Sequence, residues 1–380
     1  MWPIDTSPLL LSLLLQQADV SPSHLQHDPY VRVTTEEETP SLLSRLKPEG
    51  GVDVYYAHNF NRPANAANFI PGTGTTAKRA GEITINLASL GLSLAPEPVG
   101  FKVLLGFGTG AEVVHAAEPE GVATGPEVWR YVQQASLSFA HGPVVLEAGI
   151  YPSHIGLESF QSQLNWTYTR SWMGELSPYY QTGLKGTWTV NPKWSVQLHL
   201  LNGWQTIGDN NHGLAVGTQV AYSGDRLSAS FNTFIGEEGT EGNEGLRLFA
   251  DVVATYRVTD ALRLAATADV GTQHITGGER AYWYAAGFNA RYQFIDPVAL
   301  VGRAEVYRDA DGLMTGAEQT LAAGTLTLEV KPATPLVLKL EARYDHSTAD
   351  VFAGRATTDE GAPVLKDAET LVVLGATAYF

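Results

Sequence analysis

From Gly51 to the final residue, apolar and polar side chains alternate along the chain. The pattern comes in segments of about 10–14 residues, the period of a strand whose two faces meet different surroundings. Sixteen such segments can be marked, the first at 51–60 and the last at 369–380. The links between them alternate as well. Tight turns such as His141-Gly142-Pro143, Asn191-Pro192, Ser223-Gly224-Asp225 and Asp296-Pro297 follow the even segments, and these residue types have preset or permissive φ. Long links (61–80, 110–128, 151–176, 204–212, 237–245, 271–280, 308–317 and 346–368) follow the odd ones. Such a layout predicts an all-β fold: an antiparallel transmembrane β-barrel of about 16 strands, with short periplasmic turns and long extracellular loops. A register change near Ala88-Ser89 predicts a bulge in the second strand.

Charge sorts with the alternation. In 334–345, Leu336, Leu338, Leu340, Ala342 and Tyr344 share one face, and Lys339, Glu341, Arg343 and Asp345 share the other. The same parity sets Arg247, Asp251 and Arg257 opposite Leu246, Leu248 and Val252. No acid or base falls clearly at the middle of an apolar face. Lipid enforces that rule, because a cation at the bilayer midplane costs ~2–4 kcal/mol in such barrels. A soluble barrel would place charge outside and keep its interior dry. Aromatic residues of the apolar face lie near strand ends, as in Trp188, Trp194, Tyr256 and Tyr292 by the short turns and Trp129, Tyr131, Tyr282 and Tyr344 by the long loops. Two girdles at the two interfaces are expected from this.

Composition agrees. The 380 residues carry 24 Lys+Arg against 40 Asp+Glu, a net charge of -16, which argues against nucleic acid as a partner. Cys 0 removes disulfides, thiolate catalysis and zinc–cysteine sites. No apolar run approaches the ~18 residues of a spanning helix. Leu9 to Leu15 has the length of an export h-region, with Ala18 a processing point, but Met1 to Pro8 lacks the positive charge of an n-region. Residues 1–18 therefore read as an atypical signal segment, 19–50 as a polar periplasmic tail with a short helix around 41–47, and 51–380 as the barrel.

Gly51-Val52-Asp53-Val54-Tyr55-Tyr56-Ala57-His58-Asn59-Phe60-Asn61-Arg62-Pro63 resembles the opening strand of the OmpL-like β-barrel porin family. Asn165-Trp166-Thr167-Tyr168-Thr169-Arg170-Ser171, followed by Pro178-Tyr179-Tyr180-Gln181-Thr182-Gly183, is similar to that family's mid-barrel signature. The resemblance covers roughly Gly51 to Phe380 and implies a porin in the cell outer membrane of a Gram-negative-type bacterium. Closing on a strand that ends in Phe380 resembles outer-membrane barrels generally, and implies recognition by the barrel assembly machinery. Porins of this size imply a homotrimer.

Sixteen strands enclose a water-filled channel, so function is sought on the inward face. Nine cations (Lys102, Lys185, Arg226, Arg247, Arg263, Arg291, Arg303, Lys339, Arg343) face seven anions (Asp53, Glu147, Asp251, Asp269, Glu305, Glu329, Glu341). Pore lining is expected from Arg247, Arg263, Arg291, Arg303, Lys339 and Arg343, and from Asp251, Asp269, Glu305 and Glu341. Link 151–176, the longest, is expected by analogy to fold inward and narrow the lumen, bringing Glu158, Arg170 and Glu175. Glu158 or Glu175 facing Arg303 and Lys339 would set a transverse field across the waist.

Catalytic and metal chemistry find no support. His154, His212, His274 and His346 are scattered without metal-ligand spacing, Asp309-Asp311-Gly312 is half a calcium loop without its closing Glu, and Ser195 with His199 lacks a third group. No cofactor is expected. The reading is passive diffusion of small hydrophilic solutes or ions. The alternative is a structural barrel, a sheath within an envelope or electron-transfer complex with a partner protein inside or beside it.

Overall fold

The computed structural model describes residues 42–380 apart from 119–125, 210, 212, 240–243, 276 and 277. The expected export segment 1–18 and the tail as far as residue 41 lie outside the described residues. A single helical turn, α1 (Leu42–Arg45), leads directly into β1 (Leu46–Asn59). The barrel thus starts five residues before the expected 51, and residues 46–50 belong to a strand and not to the tail.

In chain order there follow β2 (Ile83–Leu94), β3 (Val99–Phe107), β4 (Val132–His141), β5 (Val144–Pro152), β6 (Tyr180–Asn191), β7 (Trp194–Leu201) and β8 (Ala215–Ser223). The second half is β9 (Leu227–Glu238), β10 (Gly245–Arg257), β11 (Leu262–His274), β12 (Arg280–Ile295), β13 (Val298–Asp309), β14 (Gln319–Ala333) and β15 (Leu336–Ser347). A small hairpin, β16 (Phe352–Thr357) and β17 (Pro363–Lys366), fills the last long link before β18 (Ala368–Tyr379). The sixteen longer strands form one closed antiparallel barrel, each beside its sequence neighbour, with β18 joining β15 to β1. Closure leaves no strand edge, the only way a sheet can satisfy its backbone groups in lipid. At the seam, Gly50 N–H donates to the Phe380 carbonyl (3.1 Å) and Phe380 N–H donates back to Gly50 (2.9 Å).

Alternation holds through the wall. In β15 Lys339, Glu341, Arg343 and Asp345 are buried inside, while Leu340 and Tyr344 are about half exposed outside. Phe139, Trp188, Trp194, Tyr256, Tyr292 and Phe294 are exposed near the short turns, and Tyr131, Tyr282, Tyr284 and Tyr344 near the long loops. Trp129 departs from this: it ends a helical turn (Pro126–Trp129) and packs against buried residues, with β4 starting only at Val132. The bulge lies slightly earlier than expected. Asp53 pairs with Leu87 and Val54 with Ile85, so Asn86 is the extra residue, and its amide turns inward to donate to Asp53 (3.0 Å).

Candidate permeation pathway

The link between β5 and β6 enters the barrel. Ser153 to Glu175 is almost continuously buried, and it is held by wall residues of strands all around the circumference. Near its start, His154 O accepts from Gln219 of β8 (3.1 Å) and Gly156 N–H donates to Asp251 of β10 (2.9 Å). On the far side Ser162 donates to Asp53 of β1 (2.7 Å). The link then closes on itself through a short helix, Trp172–Glu175, capped by Ser171, whose hydroxyl accepts from Gly174 N–H.

Its middle sits in a charged socket. Lys339 Nζ donates to the carbonyls of Ser162 (2.8 Å), Asn165 (2.5 Å) and Thr167 (3.1 Å). Glu341 accepts from Tyr168 N–H (2.6 Å), Thr169 N–H (3.0 Å), the Thr169 hydroxyl and Thr327 (2.7 Å). Arg303 donates to Glu158 (2.9 Å), Thr167 Oγ1 (2.7 Å) and the carbonyls of Thr169 (2.7 Å) and Arg170 (3.1 Å). Arg343 donates to the Arg170 carbonyl (2.5 Å), and Glu305 accepts from Trp172 N–H (2.6 Å). These side chains do what helix or sheet partners would otherwise do for an irregular buried backbone, which cannot be left unpaired.

Arg303, Lys339, Arg343, Glu305 and Glu341 therefore face inward as parity requires, but they are covered, each less than a tenth exposed. Glu158 meets Arg303 directly, so the two make a contact ion pair and not a field across a water gap. Burial alone would raise the Glu158 carboxyl. The Arg303 and Arg170 charges and hydrogen bonds from Ser171 outweigh it and hold the group below its ordinary range. Arg170 reaches the Glu158 carbonyl (3.2 Å) and lies over the Tyr179 ring (4.5 Å). Glu175 faces away from the wall cations: it accepts from Gly74 N–H (2.8 Å) and from the N–H (3.1 Å) and hydroxyl (2.8 Å) of Thr75, tying this link to link 61–80.

The remaining expected residues divide by height. Arg247 lies between the rings of Trp204 (4.9 Å) and Trp283 (5.6 Å) and donates to Gln273 (2.8 Å). Asp251 and Asp269 are direct cross-strand partners, both buried. Arg263 and Arg291 lie toward the short turns, where the wall is more open.

An apolar cluster at the long-loop end is the feature that charge parity missed. Trp172 packs against Phe69 (6.1 Å) and Phe352 (6.1 Å) from two other long links, and its Nε1 donates to Asp345 (2.8 Å). Wall residues Phe234, Phe249, Trp283, Tyr307, Leu321 and Leu371 join the same cluster from the inward face. The signal was present in the sequence: at these strand ends the inward positions turn apolar, so the alternation weakens. Gly375 completes the fit, because a Cβ there would lie 2.3 Å from Tyr168. A tryptophan is accommodated likewise at Gly271, where a Cβ would meet Trp283 at 2.1 Å.

The wall is a closed barrel of sixteen strands, with its third long link folded inward. Residues 45–380 match the family described as "Putative beta-barrel porin-2, OmpL-like". The chain belongs to this OmpL-like porin family. The family is described as one of β-barrel porins, which makes the chain's reading that of a channel. Among solved structures the chain is similar to the anion-selective porin from Comamonas acidovorans (TM-score 0.60, 13% identity, covering 88% of this chain and 99% of that one). It is also similar to the outer-membrane expressed OmpT of Vibrio cholerae (TM-score 0.58, 11% identity, 88% and 97% covered). The outer membrane channel DcaP of Acinetobacter baumannii matches with a TM-score of 0.57 at 11% identity, over 88% and 97% of the two chains. At such identities the likeness establishes the fold alone. Among curated proteins none matches this sequence.

Proposed function

We propose that this OmpL-like porin passes small hydrophilic solutes or ions by passive diffusion, through a lumen narrowed by link 151–176. The observation that carries the reading is the clamp of Arg303, Lys339 and Glu341 on the backbone of residues 162–170. Narrowing comes from packed chain more than from a transverse field, since Glu158 and Arg303 are in contact, Lys339 is taken up by backbone carbonyls and Glu175 turns to link 61–80. Arg247, Asp251, Asp269, Glu305 and Arg343 hold the narrowed half in shape, while Arg263 and Arg291 meet solute in the wider half. The short-turn rim and Phe380 face the periplasm, the long links face outward, and the barrel assembly machinery engages the β18 end. A homotrimer is the proposed assembly. Proteoliposomes tested for swelling in isosmotic sugars and salts of increasing size check this: a size-limited influx supports it, and vesicles indistinguishable from protein-free ones reject it.

One observation favours the second reading. The apolar cluster around Trp172 fills the long-loop end as a core fills a soluble domain, which suits a structural barrel within an envelope complex. The same swelling assay separates the two.

A further inference from the structure

The outer wall is not evenly filled. Between β12 and β18 it carries a groove of about 550 Å³, within the ~300–1,000 Å³ range of small-molecule sites. Register explains the gap. Phe288, Ala304, Gly324, Tyr344 and Thr370 are successive cross-strand partners on the outward face, and so are Gly302, Leu326, Ala342 and Val372 in the next row. Gly302, Ala304, Gly324 and Ala342 therefore adjoin, and none presents more than a methyl group. A Cβ built at Gly302 or at Gly324 would meet nothing within 4 Å. Phe288, Leu326, Tyr344 and Val372 stand around this floor, each at least a third exposed.

What fills the groove follows from where it lies. Tyr344 belongs to the aromatic belt by the long links, and the row on the other side of the floor is Leu300, Leu328, Leu340 and Leu374. The groove thus opens into hydrocarbon, where a gap left empty forfeits its packing contacts. A second barrel would press a convex wall against the rim and leave the floor uncovered, whereas a single flexible chain can follow it. Lipid tails are as apolar as leucine, so fit alone selects weakly, and selection falls to the headgroup. The charge at that end suits an anion. Arg308 lies further along the outward face of β13, where Nη1 donates to Thr320 Oγ1 (3.4 Å) and Nη2 to Glu318 (2.7 Å), a side chain that is 68% exposed. His346 is exposed on the same face of β15, just past Tyr344. A guanidinium fork takes a phosphate through two parallel hydrogen bonds.

We propose that the groove is a binding site for a lipid of the leaflet on the long-link side. One acyl chain lies over Gly302, Ala304, Gly324 and Ala342, and a phosphate in the headgroup is held by Arg308, with His346 beside it. The site needs a barrel in a membrane and not a conducting one, so it goes beyond the porin reading and does not depend on it. On the inward face of the same stretch of wall are Arg303 and Arg343, which hold the link. Added salt weakens the headgroup contact, since part of it is screened.

Native mass spectrometry of the full-length protein, released from neutral detergent after incubation with dipalmitoyl phosphatidylglycerol, tests the site. Wild type retains a single lipid per chain, and the Gly302→Leu, Gly324→Leu variant, its groove filled, retains at least tenfold less. Gly324→Leu alone is the fallback should the double variant fail to fold, with a several-fold loss expected. Ala268→Leu, exposed on the outer face of β11 away from the groove, retains as much as wild type. Arg308→Gln retains several-fold less phosphatidylglycerol, but holds dipalmitoylglycerol, which has the same tails and no phosphate, as wild type does. No lipid on wild type, equal lipid on wild type and the Gly variants, or an equal loss from Ala268→Leu overturns the site. Equal phosphatidylglycerol on wild type and Arg308→Gln overturns the phosphate contact. Oligomers that disappear in the Gly variants while retained lipid does not fall would make the groove a contact between copies of the chain, and overturn the lipid.

Discussion

Arg303 of β13 and Glu158 of the inward link touch at 2.9 Å, and their side chains are 1% and 9% exposed. The pair fastens the lumen's filling to its wall. Removing one partner of a buried pair leaves the other charge without compensation, at a cost of about 3–5 kcal/mol. Arg303→Met is expected to lower the unfolding free energy by that order. Glu158→Gln added to it restores part of the loss, with a coupling of about 0.5–3 kcal/mol. Urea unfolding in detergent for the four proteins of the cycle checks this, and strictly additive losses would contradict a direct pair.

Gly375 and Tyr168 are complementary in shape. Gly375→Ala puts a Cβ 2.3 Å from the Tyr168 ring, and overpacking of this kind costs about 1–3 kcal/mol. Combined with Tyr168→Ala the clash disappears, so the double variant should lose less than the sum of the singles. The same unfolding measurement reads it.

Leu340 belongs to the outer, lipid-facing set and is about half exposed. Leu340→Arg should cost about 2–4 kcal/mol if it sits near the midplane. Val364→Arg on β17, equally exposed but in a long link, should stay within about 0.5 kcal/mol of wild type. Folding equilibria in lipid vesicles distinguish them, and equal costs would argue against this placement of the apolar belt.

His115, after the helix Thr109–Val114, is buried and stacked on Tyr180 (4.7 Å). Burial pushes its imidazole down to about 4. The unfolded group takes its proton at about 6.5. Between these values the unfolded segment binds more protons, so local stability falls as pH drops from about 6.5 toward 4 and is flat above. Hydrogen exchange of residues 109–118 should accelerate over that window, and His115→Phe should abolish the dependence.

Much of the barrel was legible because its two solvents are unlike. Lipid on one side and water or polar chain on the other force a period of two, and Lys339, Glu341 and Arg343 could be placed inward from parity alone. What those residues bind was not legible. Lys339 meets carbonyls of Ser162 and Thr167, more than 170 residues away, and no local pattern encodes a cation that serves backbone. Parity told direction and not exposure, so buried clamps were read as pore lining.

Single-channel conductance in planar bilayers tests the central claim, that link 151–176 narrows a conducting lumen and is held there by its charged socket. Wild type should give small, steady steps. The Arg303→Ala, Lys339→Ala variant, its link released, should give larger and noisier ones. No current from either protein, or equal steps from both, would contradict the account.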